Sequence, residues 1–119
     1  MAAQRILVVD DNHDSADSLA LLLSLHGHIV EARFTGQGLV DYALAFKPDL
    51  VLLDIGLPGL SGYDVAAKIR AEPRLAKVCV AAVSGFSGHE FRNAQFDAQF
   101  VKPVDLHALV GLINSLPRK

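Results

Sequence analysis

The chain has 119 residues, of which 51% are apolar, and a formal net charge of −2. These values suit one globular domain with a hydrophobic core and exclude a disordered chain or a basic nucleic-acid-binding surface. The apolar stretches are too short to cross a membrane, and the start lacks a signal-peptide pattern. The single cysteine, Cys79, excludes an internal disulfide and is expected to be a buried small side chain. We therefore expect a cytoplasmic protein whose partners include neither nucleic acid nor a membrane.

Short apolar runs alternate with segments of helical period in the first half of the chain. The predicted elements are a strand at 5–10, a helix at 14–26, a strand at 28–34, a helix from Thr35 to about residue 46, and a strand at 50–54. Gly27 fits the left-handed position after the first helix. Thr35 is the expected cap of the second helix, to which Leu39, Ala43 and Ala45 contribute apolar surface. The continuous apolar run at 50–54 indicates a central parallel strand.

The same alternation continues to the end of the chain. The predicted elements are a helix carrying Val65 and Ile69 and ending near Pro73, a strand at 78–84, a short helix at 87–95, a strand at 99–102, and a last helix capped by Asp105. The segment 87–95 has the poorest helix propensity. The pattern predicts a single (βα)5 domain over residues 1–119, with helices on both faces of a five-stranded parallel sheet.

Polar side chains stand at the carboxyl ends of four predicted strands. They are Asp10 and Asp11 at the end of the first strand, Asp54 at the third, Ser84 at the fourth and Lys102 at the fifth. Ligands of open parallel sheets bind beyond these ends, so we expect one site. Clustered carboxylates repel one another, and a lysine or a hard cation such as Mg²⁺ relieves that repulsion. In such a site Asp54 can attack a phosphoryl group, with Lys102 neutralising charge and Ser84 donating a hydrogen bond.

Five motifs follow one another along the chain: VVDDN at 8–12, LLDIGLPG at 52–59, GYDV at 62–65, VSG at 83–85 and FVKPV at 100–104. Together they resemble the receiver domain of response regulators, the phosphoacceptor module of two-component signalling. The resemblance spans nearly the whole chain. It implies a flavodoxin-like α/β fold with the strand order 2-1-3-4-5.

The resemblance also implies a role for each site residue. Asp54 accepts a phosphoryl group from a phosphohistidine on a histidine kinase or a histidine phosphotransfer protein, and Ser84 and Lys102 contact that group. The implied Mg²⁺ ligands are Asp11, Asp54, the backbone carbonyl of Gly56 and, through water, Asp10. The Lys102–Pro103 peptide is expected in the cis form, which proline makes accessible.

Two positions depart from the receiver pattern. Gln99 stands where receivers commonly carry Tyr, Phe or His, and Phe100 is expected to point to the opposite face of its strand. Gly56 leaves space beside Asp54, which Phe86 is expected to cover in part. Phosphorylation is expected to move Ser84 and to shift the segment 87–95 and the surface of the fifth strand.

Two other function classes fit these residues less well. An aspartyl phosphohydrolase needs a second acid two residues after its nucleophile, where this chain has Gly56. A flavodoxin-like nucleotide or flavin binder conflicts with the acidic loop at 10–14, which would repel a phosphate lacking a metal. The sequence leaves open whether the chain is a stand-alone receiver or part of a hybrid histidine kinase. Residues 96–98 and 101–106 resemble receivers that are fused to such kinases. The downstream target is unknown.

Overall fold

A computed structural model of the protein describes residues 3–57, 61–85 and 96–116. These residues form a layered α/β structure. The elements in these residues are β1 (Arg5–Val9), α1 (His13–Leu25), β2 (Ile29–Arg33), α2 (Leu39–Phe46), β3 (Leu50–Asp54), α3 (Gly62–Ala71), β4 (Cys79–Ser84), β5 (Ala98–Val101) and α4 (Leu106–Ser115). A 3-10 turn at Pro73–Leu75 follows α3. The helix predicted at 87–95 lies outside the described residues. No helix within the described ranges has the length and apolar character that a membrane span requires.

The five strands form one sheet in the order β2-β1-β3-β4-β5, and every neighbouring pair is parallel. This result confirms the predicted strand order. All five residues of β3 are buried, as expected for a central strand covered on both faces. Because the strands are parallel, their carboxyl ends share one edge of the sheet.

Two apolar clusters cover opposite faces of this sheet. One cluster is built on α2 and α3, which contribute Leu39, Ala43, Val65, Ala66 and Ile69. The other is built on α1 and α4, which contribute Ala16, Leu23, Leu109 and Ile113. The prediction of helices on both faces is thus confirmed. Cys79 is half-buried against the α1–α4 cluster, and burial together with the charge of Asp97 raises the pKa of its thiol to about 11.

Helix ends follow local chemistry at two predicted positions, Gly27 and Asp105, and at Ser61, which was not among the predicted caps. Gly27 has φ of 92°, the left-handed conformation predicted after α1. The Asp105 side chain accepts a hydrogen bond from the His107 amide at 2.9 Å and caps α4, as predicted. The Ser61 side chain caps α3 by accepting from the Asp64 amide at 3.2 Å.

The start of α2 differs from its prediction. The helix begins at Leu39, and Gly38 precedes it with φ of 70°, which right-handed helical backbone cannot adopt. Thr35 is therefore not the cap, and its hydroxyl instead accepts a hydrogen bond from the Gln37 amide at 3.2 Å. Ala45 is exposed, because only one face of this short helix reaches the sheet.

The two faces of β5 confirm the alternation predicted for its central residues. Gln99 is exposed, whereas Phe100 is partly buried against the cluster of α1 and α4. Phe100 therefore does not replace the aromatic residue that receivers commonly carry at the position of Gln99.

Candidate functional site

The carboxyl ends of four adjacent strands bring the predicted polar residues to one edge of the sheet. Asp10 directly follows β1, Asp54 and Ser84 are the last residues of β3 and β4, and Lys102 directly follows β5. The register pairs Asp54 with Val83 and Ser84 with Val101. The structure thus gathers residues that are as many as 92 positions apart in the sequence, from Asp10 to Lys102.

Three carboxylates cluster at this edge. Carboxylate oxygens of Asp10, Asp11 and Asp54 lie within 4.8 Å of one another. Asp10 and Asp54 are only 7% and 8% exposed, whereas Asp11 is exposed. Two unit charges at about 4 Å repel by roughly 4 kcal/mol at an effective dielectric near 20, so this arrangement needs a positive partner.

Lys102 supplies one positive charge to both buried acids. Its Nζ lies 3.0 Å from Asp10 Oδ2 and 3.0 Å from Asp54 Oδ2. Partial burial lowers the pKa of Lys102, but the hydrogen bonds and charges of the two carboxylates outweigh this effect, and the net pKa is raised. The ammonium group therefore stays protonated at neutral pH. The Lys102–Pro103 peptide is cis, as the resemblance implied.

Backbone amides orient the same two carboxylates. Asp10 Oδ1 accepts a hydrogen bond from the Asn12 amide at 3.0 Å, and Asp54 Oδ1 accepts one from the Gly56 amide at 2.8 Å. Each buried carboxylate thus has one oxygen on an amide and the other on Lys102. The sequence motif contained Asn12 without indicating this role. The signal was its place two residues after Asp10, where Asp side chains commonly accept a backbone hydrogen bond.

Ser84 is 1% exposed and lies beside the end of β3. Its carbonyl accepts a hydrogen bond from the Lys102 amide at 2.7 Å, which ties the lysine backbone to β4. This contact fixes the path of the chain from which the Lys102 side chain reaches the acids.

The surroundings of the site are partly apolar. Asp10, Asp54 and Lys102 line a groove of about 490 Å³ together with residues of α1 and of the segment after β5; the α1 residues are Ser15, Ser18, Leu19 and Leu22. Gly56 is exposed, and within the described residues a β-carbon there would meet only Asp54 Oδ1, at 3.4 Å. This supports the expected open space beside Asp54. Phe86 lies outside the described residues.

The donor set fits a hard divalent cation. Three clustered carboxylates offer oxygen ligands, and Mg²⁺ binds through one or two carboxylates with water and phosphate oxygens. A carboxylate beside a cation and a protonated lysine can also act as a nucleophile toward phosphorus. The arrangement therefore has the groups that phosphoryl transfer to an aspartate requires.

Curated relatives resemble this chain over part of their own length. The chain is 34% identical over 115 residues to the sensor histidine kinase AtsR of Burkholderia thailandensis, covering 92% of the chain and 19% of that protein. It is 34% identical to the transcriptional regulatory protein PrrA of Mycobacterium leprae, covering 100% of the chain and 52% of that protein. The chain thus spans about half or less of the length of these relatives.

Solved structures share the whole fold. A CheY-like receiver domain from Methylobacillus flagellatus has a TM-score of 0.88 and 27% identity, covering 98% of this chain and 100% of that one. The receiver domain of a sensor histidine kinase from Pseudomonas aeruginosa has a TM-score of 0.85 and 26% identity, covering 97% and 98%. That structure holds a magnesium ion in its active-site cleft.

The sequence itself matches the response regulator receiver domain family over residues 6–114. The match includes every strand end that contributes to the acidic site. The chain therefore belongs to the response regulator receiver domain family, whose members are signalling domains of two-component systems.

Proposed function

We propose that Asp54 is the phosphoacceptor of this receiver and takes its phosphoryl group from a phosphohistidine. The observation that carries the proposal is the environment of one side chain. Asp54 is buried, shares Lys102 with Asp10, and lies within 4.8 Å of both Asp10 and Asp11. An acid buried among like charges is costly unless the site is built to receive a cation or to react.

Asp11, Asp54 and the Gly56 carbonyl would hold Mg²⁺ directly, and Asp10 would hold it through water. The magnesium ion in the Pseudomonas relative supports this assignment. The ion, when bound, supplies positive charge that neutralises the transferring phosphoryl group. The exposed position of Asp11 leaves its carboxylate accessible to an incoming hydrated ion.

In the proposed reaction, an Asp54 oxygen attacks the phosphorus atom. A bond forms between that oxygen and phosphorus, the phosphorus–nitrogen bond of the donor histidine breaks, and its electron pair returns to the imidazole. Lys102 remains protonated, because its pKa is raised, and offsets charge on the phosphoryl oxygens. Ser84 donates a hydrogen bond to one of those oxygens.

The phosphoryl donor is a histidine kinase or a histidine phosphotransfer protein. We further propose that residues 1–119 make up one receiver domain and that it catalyses its own phosphorylation and dephosphorylation. The similarity to part of a sensor histidine kinase and to part of a transcriptional regulator supports its use within larger signalling proteins. Phosphorylation would bias a two-state equilibrium of the domain, which the downstream partner reads.

Intact mass measurement after incubation with acetyl phosphate and Mg²⁺ tests this proposal. The wild-type chain should gain one phosphoryl group, and Asp54→Asn should gain none. Asp105→Asn is the matched control, because asparagine caps a helix as well as aspartate and Asp105 lies at the start of α4. A phosphoryl group that persists on Asp54→Asn would refute the assignment of the acceptor.

Turnover of p-nitrophenyl phosphate separates this function from an aspartyl phosphohydrolase. Such a hydrolase places a second acid two residues after its nucleophile, and Gly56 occupies that position. We expect no sustained release of nitrophenol under conditions in which acetyl phosphate modifies the chain. Repeated turnover would favour the hydrolase.

A further inference from the structure

We infer that Gly62 is a positioning residue for Asp54 and for the turn that follows it, an inference that rests on the function proposed above. Gly62 is the first residue of α3. Because it has no side chain, the start of this helix lies directly against the backbone of Asp54 and Ile55. The helix thereby fixes the turn that carries the phosphoacceptor and one proposed metal ligand.

The contact leaves no room for a side chain. A β-carbon at position 62 would overlap Ile55 Cα and would lie 2.6 Å from Asp54 O and 3.0 Å from Ile55 N. All three are backbone atoms, so no rotamer change relieves the overlap. The close approach is also bonded, because the Gly62 amide donates to Ile55 O at 3.2 Å.

The requirement for glycine here is steric and not conformational. Gly27 and Gly38 have positive φ, which favours glycine for its backbone freedom. Gly62 is outside this group, and its backbone conformation is one that alanine adopts in a helix. The overlap with Asp54 and Ile55 therefore distinguishes alanine at 62 from alanine at other helix positions, where only conformational entropy changes.

The contacted backbone leads directly into the site. Ile55 is held from the other side, where its amide donates to Val83 O at 3.1 Å. The next residue, Gly56, donates its amide to Asp54 Oδ1 at 2.8 Å and offers its carbonyl as a proposed Mg²⁺ ligand. The turn at 54–56 is thus seated between β4 and the first residue of α3.

An added β-carbon at position 62 would displace whichever of β3, α3 and the turn at 55–56 is least restrained. The strand β3 is buried along its whole length and is paired with β1 and β4. The helix α3 is packed into the core through Val65, Ala66 and Ile69. The turn at 55–56 lies outside the strand and the helix, and although the Ile55 backbone is hydrogen-bonded, Gly56 is exposed and free of core packing. We therefore expect the overlap to move Gly56 and the carboxylate of Asp54.

The experiment compares Gly62→Ala with Gly111→Ala, which makes the same chemical change at an exposed helix position with open space. In the metal-free protein, Gly62→Ala should shift the amide resonance of Gly56, and Gly111→Ala should not. Gly62→Ala should also weaken Mg²⁺ binding and slow phosphorylation by acetyl phosphate at saturating Mg²⁺. We expect losses of about tenfold to a hundredfold, as for small misplacements of reacting groups.

A second pair of variants separates positioning from loss of stability. Ile69→Val weakens the packing of the same helix at a residue that is 0% exposed and outside the site, and it should keep wild-type Mg²⁺ affinity. If Gly62→Ala does not fold, Ser61→Ala replaces it. That variant loosens the same helix start by removing the cap on the Asp64 amide. It should shift the Gly56 resonance and weaken Mg²⁺ binding, unlike Ile69→Val.

The outcomes distinguish this inference from the proposed function. A folded Gly62→Ala with wild-type Gly56 resonance and Mg²⁺ affinity overturns the role of Gly62. Equal losses of Mg²⁺ affinity in Gly62→Ala and Ile69→Val overturn it as well. Failure of the wild-type chain to bind Mg²⁺ or accept a phosphoryl group would instead overturn the function proposed for Asp54.

Discussion

Lys102 joins two buried carboxylates, yet the site around it stays negatively charged. The three clustered acids and the one lysine leave two formal negative charges at the edge of the sheet. Lys102 therefore offsets part of the repulsion and leaves the rest for a divalent cation. Changing the charge of one site residue should therefore change the free energy of unfolding, and the change should differ between the metal-free and the Mg²⁺-bound protein.

Asp11→Asn should stabilise the metal-free fold and weaken the metal-bound one. Asp11 is exposed, and two unit charges about 5 Å apart in water repel by roughly 1 kcal/mol. We expect a gain of about 0.5–1 kcal/mol without metal, measured by urea unfolding. With saturating Mg²⁺ the variant should be less stable than the wild type, because it has lost a proposed ligand. Asp17→Asn, an exposed change in α1, is the control.

The opposite sign without metal would contradict this account. If Asp11→Asn lowers the free energy of unfolding in the absence of Mg²⁺, the Asp11 carboxylate makes a favourable contact that outweighs its repulsion from Asp10 and Asp54.

Lys102→Met should destabilise the metal-free fold. Methionine is similar in length to the aliphatic part of lysine but carries no charge. Asp10 and Asp54 therefore stay buried without their cation. Removing one partner of a buried ion pair is strongly destabilising, and partial exposure of Lys102 reduces this to about 1–3 kcal/mol. Urea unfolding measures the loss, with Lys77→Met as the exposed control. Added Mg²⁺ should recover part of the stability, and no recovery would argue against cation binding at these acids.

The sequence predicted which residues meet at the site but not how they contact one another. Asp54, Ser84 and Lys102 stand at strand ends, and parallel pairing alone brings such ends together. The ion pair of Lys102 with Asp10 connects the ends of β5 and β1, the outer two of four adjacent strands, and depends on side-chain conformations that no local pattern encodes. The fit of Gly62 against Asp54 likewise depends on where the first residue of α3 lies relative to the end of β3.

Among the elements, the helix ends show where local chemistry decides and where it does not. Asp105 caps α4 as predicted, because its side chain reaches the amides of the first turn. Thr35 has the same ability but closes a turn with Gln37, since the left-handed Gly38 delays the helix. A capping residue in the sequence is thus a sufficient signal only when no glycine redirects the backbone before the helix.

Gly111→Ala should stabilise α4 and the whole fold. Gly111 is an exposed residue in the interior of this helix, and a β-carbon there would meet no atom of the described residues within 4 Å. Alanine loses less conformational entropy on folding, so we expect a gain of about 0.5–1 kcal/mol in the free energy of unfolding. Chemical denaturation measures this gain.

Gly27→Ala should have the opposite effect and lower the free energy of unfolding. Gly27 also has open space, but its φ of 92° is unfavourable for alanine, so this variant should lose about 1 kcal/mol or more. Equal effects of the two substitutions would mean that backbone conformation does not decide them.

At the scale of the whole molecule, the fold was predictable because its signals are redundant. Alternating strands and helices require right-handed crossovers and a sheet covered on both faces, and both core clusters follow from that arrangement. The same sheet has two different edges. The acids lie at the carboxyl edge. At the amino edge, His28 just before β2 accepts a hydrogen bond from the amide of Gln4, just before β1.

Lowering the pH should reduce the stability of the fold by protonating His28 at this amino edge. The Gln4 amide donates to His28 Nδ1 at 3.1 Å, so this nitrogen must be unprotonated in the native state. Burial lowers the pKa of His28 below 6.5, and the neighbouring His26 lowers it further. Between the unfolded and folded pKa values the unfolded chain binds the extra proton, so stability rises with pH there and falls as the solution becomes more acidic.

Urea unfolding between pH 7.5 and pH 5 measures this effect. The wild type should lose stability as the pH falls through 6.5 toward the lowered pKa of His28. The slope should stay below about 1.4 kcal/mol per pH unit, the limit for one proton, because His28 is partly exposed. His28→Gln should reduce this slope, whereas His26→Gln should keep most of it, because His26 lies at the end of α1 and only adds to the shift. An unchanged slope in His28→Gln would show that the pH dependence does not arise from His28.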